Sequence, residues 1–267
     1  MAALTFIKWG GSLITDKATP YTVRTDVLER LADELARYWP ARDGKLVLGH
    51  GSGSFGHAAA RASGFAAAGN GPPSAEAFSA VHHAAARLHH TVMAALRAAG
   101  LPAVSFVPSS SLVATDGTPT PIPTDVIDHL LAQNALPVTY GDALVDRTRG
   151  SSIASTETLF RALIPALQAA GHPTVRALWF GDTDGLYDAA GATIPTVAAA
   201  EAPALLDAIG APRGVDVTGG MAHRLQTAAA LAAEGVPSVL ASGRRPGAMY
   251  RLLRGDAEDP VTCVVAR

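Results

Sequence analysis

Residues Lys45–His57 read KLVLGHGSGSFGH, and the fold turns on what the glycines of this stretch hold. An apolar run of strand character ends at Gly49, and Gly51, Gly53 and Gly56 follow at the spacing of a dinucleotide-binding fingerprint. In that fingerprint the turn opens a helix, and a second strand ends in an acidic residue about 20 positions on. Glu76 has roughly that offset, but it opens a helical pattern instead of closing a strand. The NAD reading therefore loses its context, and no Gly-x-x-x-x-Gly-Lys-Ser/Thr occurs either. Two readings stand. The run is a tight strand-to-helix turn, or its backbone N–H groups converge on an anion that no Cβ keeps at a distance.

The first strand supplies a second loop of the same kind. Lys8-Trp-Gly-Gly-Ser12 closes the apolar segment LTFIKW, and Asp16-Lys17 follows. The chain has 21 basic residues, of which only Lys8, Lys17 and Lys45 are lysine. Lys45 precedes a strand in a polar turn, whereas Lys8 and Lys17 flank a glycine pair. Two strand-end glycine loops with nearby cations can face one another across the carboxyl edge of a parallel sheet, where open α/β folds bind ligands. Gly181-Asp-Thr-Asp-Gly-Leu-Tyr187 follows another strand, Gly214-Val-Asp-Val-Thr-Gly-Gly-Met221 opens a helix, and Arg224 lies one turn into it.

Short β-rich runs alternate with helical patterns along the chain. The spacing predicts strands at Leu4–Trp9, Lys45–Gly49, Ala103–Val107, Leu136–Tyr140, Thr174–Phe180, Val236–Ala241 and Val261–Ala266. It predicts helices over Asp26–Trp39, Ala75–Ala99, Asp125–Asn134, Thr156–Ala170, Gly219–Glu234 and Pro246–Leu253, with a small hairpin at Asp142–Ile153. This alternation predicts an α/β fold: a mainly parallel open sheet between helical layers. A soft boundary near Gly171 divides residues 1–170 from 171–267 on one continuous sheet. The Gly64–Pro73 segment, with GNGPP, is expected to be an irregular lip.

Bulk properties exclude several classes. The 267 residues are 48% hydrophobic and 16% charged, which describes a globular protein with a substantial core. A formal net charge of −2 offers no global field for nucleic acid or an anionic membrane, so neither is an expected partner. Cys263 is the single cysteine, so no internal disulfide is possible and a cytoplasmic location is expected. The start of the chain has no basic n-region or cleavage site, so no signal peptide is expected. The alanine-rich stretches are broken by Arg, His or Gly before they could span a bilayer.

IKWGGSLITDK, LGHGSGSFGH, PAVSFVPSS, YGDALVD, GDTDGLY and DVTGGM occur in that order. By them the chain resembles, over nearly its whole length, the amino acid kinase superfamily and, within it, the isopentenyl phosphate kinases. The resemblance implies a three-layer αβα sandwich and a homodimer formed through first-lobe helices. It implies transfer of the γ-phosphoryl group of ATP to isopentenyl phosphate; Mg²⁺ would be held chiefly by ATP oxygens and water, because it resists full dehydration, and needs no dedicated metal cage. It also implies the roles of single residues. Lys8 would bridge the transferring group, Gly10, Gly11 and Ser12 would donate to ATP phosphates, and Lys17 would stabilise transition-state charge. Gly53 would approach the nucleotide phosphates, and His57, with Ser52, Gly53 and Thr156, would hold the acceptor phosphate. Asp182 and the Asp184-Gly185 turn would border the adenosine, with Gly220 and Arg224 near the phosphates. Lys17 paired with His57 points to the isoprenoid branch. Fosfomycin kinases share that histidine and are the nearest alternative.

The chain departs from the family pattern twice. The lysine of Gly-Gly-Met-x-x-Lys is Arg224, and the aspartate of Ser-Gly-Asp, which orients the catalytic lysines, is Glu157. The exchanged cation and the lengthened acid could compensate each other, or leave a catalytically silent nucleotide-binding or storage protein. Elsewhere simpler readings are expected. His82, His83, His89 and His90 form a polar helix face, because i,i+7 pairs stand about 10.5 Å apart along the axis, too far for one metal ion. The opposite face, with Phe78, Val81, Leu88, Val92 and Leu96, is expected to be core, and the resemblance implies that its upper end is an apolar wall for the isopentenyl group. Asp116, Asp125, Asp142 and Asp146 are turn and cap residues, and Arg244-Arg245 is a solvated loop.

Overall fold

The computed structural model describes residues 3–65, 74–209, 219–256 and 259–267. Its strands are β1 (Leu4–Trp9), β2 (Lys45–His50), β3 (Ala103–Ser105), β4 (Val113–Thr115), β5 (Thr118–Pro119), β6 (Leu136–Tyr140), β7 (Asp142–Asp146), β8 (Gly150–Ala154), β9 (Thr174–Gly181), β10 (Thr196–Ala198), β11 (Ser238–Ser242) and β12 (Val261–Val265). The helices are α1 (Gly11–Ile14), α2 (Thr25–Tyr38), α3 (Gly53–Ala62), α4 (Ala75–Ala98), α5 (Pro108–Ser111), α6 (Asp125–Ala132), α7 (Thr156–Ala169), α8 (Ala202–Ile209), α9 (Gly219–Ala233) and α10 (Ala248–Arg254). Eight strands form one sheet in the order β10-β12-β11-β9-β1-β2-β6-β3, parallel at every pairing except β11 with β12. β1 lies at its centre, between β2 and β9, so the sheet runs without a break across the expected boundary near Gly171.

The period-2 alternation of strand side chains decides which residues serve which layer. On β1, Ile7 and Trp9 enter the core beneath α2, α3, α4 and α10, while Leu4 and Phe6 enter the core beneath α6, α7 and α9. Lys8 shares the second face with Phe6 and meets α7. On β2 the same rule turns Gly49 toward Thr156 and Phe160 of α7 and turns His50 toward His89 of α4.

The Asp142–Ile153 hairpin is present as antiparallel β7 and β8, but it belongs to a second sheet, β5-β4-β7-β8. β4 and β5 turn at Asp116-Gly117, where both residues have positive φ (51° and 79°), as a type I′ hairpin requires. The buried Asp146 carboxylate accepts from the N–H groups of Asp116, Gly117, Thr148 and Arg149, and these bonds hold it far below the usual carboxylate range even though burial opposes this. Beyond the expected elements stand α3, α8, the short strands β4, β5 and β10, and the one-turn helices α1 and α5. The glycine run is a strand-to-helix turn whose helix begins at Gly53. Residues 66–73 of the expected lip, and residues 214–218 of GVDVTGGM, lie outside the described residues.

Candidate active site

The two glycine loops meet backbone to backbone at the carboxyl edge of β1 and β2. A Cβ on Gly11 would lie 2.6 Å from Gly53 Cα, and one on Gly51 would lie 2.7 Å from the Gly11 nitrogen. Gly53 has φ +52°, and a Cβ there would strike the Thr15 hydroxyl and come within 2.6 Å of the Gly11 carbonyl. No residue with a side chain fits these positions. Gly10 N–H donates to Phe180 O and Gly51 N–H to Trp9 O, which extends the ladders into the loops. Beyond them, the backbone N–H groups of Gly11, Ser12, Ser52 and Gly53 donate to no acceptor among the described residues. Four unpaired donors, two from each loop, thus lie at the meeting of the two strand ends and are available to an anion.

A charged group lies directly behind the loops. Lys8 Nζ donates to Glu157 Oε1, and Lys8, Glu157 and Arg224 are 4%, 5% and 7% exposed. Glu157 occupies the first turn of α7, which begins after Ser155 caps the Thr158 N–H. Arg224, on α9, packs its guanidinium against the ends of β1 and β9: a Cβ on Gly181 would lie 2.5 Å from its Nη1. Burial pushes Lys8 below the ordinary lysine value, and Arg224 adds to this while Glu157 opposes it. Burial alone would raise Glu157, but Lys8 and then Arg224 outweigh it and hold the carboxyl below its usual range. Arg224 Nε has no hydrogen-bond partner among the described residues. Two buried cations share one buried carboxylate, and the imbalance favours an anion.

Lys17 and His57 sit at the mouth. Both residues are exposed, though part of the His57 ring is covered; that partial desolvation, then Arg61 and Lys17, push His57 below its ordinary value, which places Lys17 within electrostatic reach of the ring. Ser52 is the N-cap residue of α3, and Phe55 packs Tyr21 edge-on with centroids 5.6 Å apart, which ties the Lys17 loop to α3. The Thr156 side chain is fully buried and its hydroxyl donates to His50 O at 2.6 Å. That hydroxyl joins α7 to β2, so the expected acceptor contact has only the backbone of Thr156 to draw on.

The turn after β9 is built from ion pairs. Asp182 accepts from Arg244 Nε (2.7 Å) and Arg24 Nη1 (3.4 Å), and Asp184 pairs with Arg245 (2.7 Å). Gly185 packs against Thr262, whose hydroxyl accepts from Leu186 N–H and donates to Ile194 O. The Arg244-Arg245 loop is exposed as expected, but it is not free: both guanidinia also pair with the two aspartates. Arg24 also donates to Ser12 O and so connects this turn to the first glycine loop. Neither Arg24 nor Glu34, which accepts from Gly247 N–H and Tyr250 N–H at the start of α10, stood out in the sequence. Gly220 is exposed in the first turn of α9.

The histidine-rich helix is not a uniform polar face. His83 and His90 are exposed, but His82 Nδ1 pairs with buried Asp142 at 3.1 Å, and His89 is buried against His50. Asp142 is accordingly more than a turn residue. Val81, Leu88, Val92 and Leu96 are core as expected, with Phe78 partly buried at the start of the helix. No three His, Cys, Asp or Glu side chains converge as metal ligands among the described residues, and no described helix is long and apolar enough to cross a membrane.

This geometry has close counterparts. Residues 3–242 match the Amino acid kinase family. The isopentenyl phosphate kinase of Haloferax volcanii is 32% identical over 256 residues, 93% of this chain and 99% of the relative. That of Methanocaldococcus jannaschii is 29% identical over 265 residues, 96% of each chain. A crystal structure of an isopentenyl phosphate kinase superposes with a TM-score of 0.79 at 26% identity, covering 98% of this chain and 100% of the other. N-acetylglutamate synthase from Neisseria gonorrhoeae shares the fold at 17% identity, with a TM-score of 0.68 over 62% of its own length.

Proposed function

The chain belongs to the amino acid kinase family, and we propose that it phosphorylates isopentenyl phosphate at the expense of ATP. The observation that carries the reading is the meeting of the two glycine loops, four N–H donors in front of a buried Lys8–Glu157–Arg224 group. An acceptor-phosphate oxygen attacks the γ-phosphorus and forms the new P–O bond. The bond to the β,γ-bridging oxygen breaks, and its electron pair leaves with ADP. Little general-base work is needed, because a phosphate monoester with a second pKa of about 6 is largely dianionic at neutral pH. The demand is for alignment and neutralisation of charge.

Each part of the edge answers that demand. Lys8 and Arg224 supply fixed charge behind the transferring group, with Glu157 holding the Lys8 ammonium directly and acting on Arg224 through its field. Gly11, Ser12 and Gly53 N–H groups orient nucleotide phosphates, while Ser52, Lys17 and His57 receive the acceptor phosphate at the mouth. A bound dianion would raise His57 against the present influence of Arg61 and Lys17. A ¹H–¹⁵N titration in the acceptor complex checks this, and a neutral ring there removes the cationic role. Asp182 and Asp184 border the nucleoside, and the partly buried Phe78 contributes an apolar wall for the prenyl chain. The donor set fits ATP, and Mg²⁺ would travel with the nucleotide, which keeps most of its coordination as phosphate oxygen and water.

Coupled ADP release with a panel of acceptors tests the proposal. Turnover with isopentenyl phosphate is expected. Turnover confined to a phosphonate such as fosfomycin or to a carboxylate would move the chain to a sister activity, and ATP binding without turnover would make it a silent nucleotide-binding protein.

A further inference from the structure

His50 ends β2 one residue before the glycine loop, and its fully buried ring faces α4. Its Nδ1 lies 3.1 Å from Gly51 O, and a carbonyl only accepts, so Nδ1 carries the proton. Burial holds the ring neutral, its ordinary value pushed down to about 4 with Lys8 adding to the effect. Nε2 must then accept, and it does so from His89 Nδ1 at 3.0 Å. His89, pushed down to about 3 by burial and by His50, is neutral as well, so its Nε2 accepts from Ser105 Oγ at 2.8 Å. Tyr140 stacks on both rings, with centroids at 5.7 and 4.1 Å. The Gly51 carbonyl thus fixes every proton of the chain Ser105–His89–His50–Gly51.

We propose that His50, held by His89 and Ser105, is a positioning residue that locks the Gly51–Ser52 peptide with its N–H turned toward bound phosphate. In a trans peptide the carbonyl and the N–H point in opposite directions. With Gly51 O drawn to the His50 ring, the Ser52 N–H is directed away from α4, and it has no acceptor among the described residues. A flip of this one peptide would replace a donor by a carbonyl oxygen and set like charge against the anion. Glycine at 51 leaves the flip sterically cheap, so the sequence alone does not prevent it, and the buried imidazole does. The role of the site's anion as phosphate rests on the function proposed above.

The test uses the full chain labelled with ¹⁵N-histidine and ¹⁵N-serine. Long-range ¹H–¹⁵N spectra are expected to show His50 and His89 as Nδ1–H tautomers. Titration with ATP, and separately with inorganic phosphate, is expected to shift the Ser52 amide downfield. His50→Leu should abolish that shift and lower kcat roughly 10- to 100-fold, the size of losing one aimed donor, with a smaller change in KM. His50→Asn, whose amide nitrogen can stand in for Nδ1, should restore the shift and most of the rate, whereas His50→Gln should not. An Nε2–H tautomer at His50, or equal rates for the Asn and Gln variants, overturns the proposal. Should His50→Leu fail to fold, the wild-type tautomer and the Asn/Gln contrast still decide it. A normal ATP-induced shift without turnover of isopentenyl phosphate would count against the substrate and leave the lock standing.

Discussion

The β1–β2 edge and the turn after β9 both gather charge at the end of a strand, and they do so in opposite ways. At the first, Lys8, Glu157 and Arg224 are almost sealed from water and the glycine loops touch atom to atom. At the second, Arg244 and Arg245 keep 41% and 46% of their side chains in solvent while gripping Asp182 and Asp184. Buried charge is weakly screened and depends on its neighbours' protonation, whereas exposed pairs yield to salt and contribute little each. Under the proposed function the contrast would divide the labour: a closely packed edge for the reacting phosphates, and a more solvent-exposed turn beside the nucleotide.

Experiments that break or sharpen this contrast range from severe to slight. Glu157→Gln leaves two buried cations without their carboxylate and should lower stability by about 3–5 kcal/mol, read by denaturant unfolding. The closely packed edge should also be acid-sensitive. His50 and His89 titrate near 4 and 3 when folded but near 6.5 when unfolded. Below 6.5 the unfolded chain binds the extra protons, so stability present above that pH is lost as pH falls. The loss is about 1.4 kcal/mol per pH unit per ring, down to the folded values. A flat melting temperature between pH 7 and 4.5 would contradict it. Gly53→Ala, at φ +52° with the Thr15 hydroxyl in the way, should lower kcat/KM by about 10²-fold or more through misplacement of both loops. Glu157→Asp and Arg224→Lys, made singly and together, should couple by roughly 1–2 kcal/mol in activation free energy, and independent effects would dissolve the compensation idea. At the solvent-exposed turn, Arg245→Ala should change affinity for ATP by about 1 kcal/mol or less, with that small effect shrinking further in high salt.

The two regions also differed in how plainly the sequence spoke. Seven of the eight strands of the main sheet were legible because apolar and β-branched runs mark them, and their observed ends fall within two residues of the expected ones; the eighth, the three-residue edge strand β10, is too short to show a period. The helix α3 was not, because Gly53, Ser54 and Gly56 are poor helix formers. Glycine is nonetheless required there, because a Cβ on Gly53 or Gly56 would strike Thr15 or Ser52, and Gly53 enters the helix with a positive φ. The β4–β5 hairpin was marked by Asp116-Gly117, yet its strands are too short to show a period. Lys8 and Glu157 lie 149 residues apart, so no local pattern joins them, and the family resemblance alone suggested their meeting. The inward turn of His82 and His89 escaped notice for another reason. Polar residues at i and i+7 look alike whether their partners are solvent or the buried Asp142 and His50.

The contact between Gly11 and Gly51–Gly53 bears on any attempt to re-engineer the enzyme for other acceptors. Loops that interlock without a side chain between them cannot be exchanged one at a time. A chimera must inherit both from the same parent or accept a mismatch at the reacting centre. Diversity for a directed-evolution library therefore belongs on the outward ends of α3 and α4, with the paired glycine loops held constant.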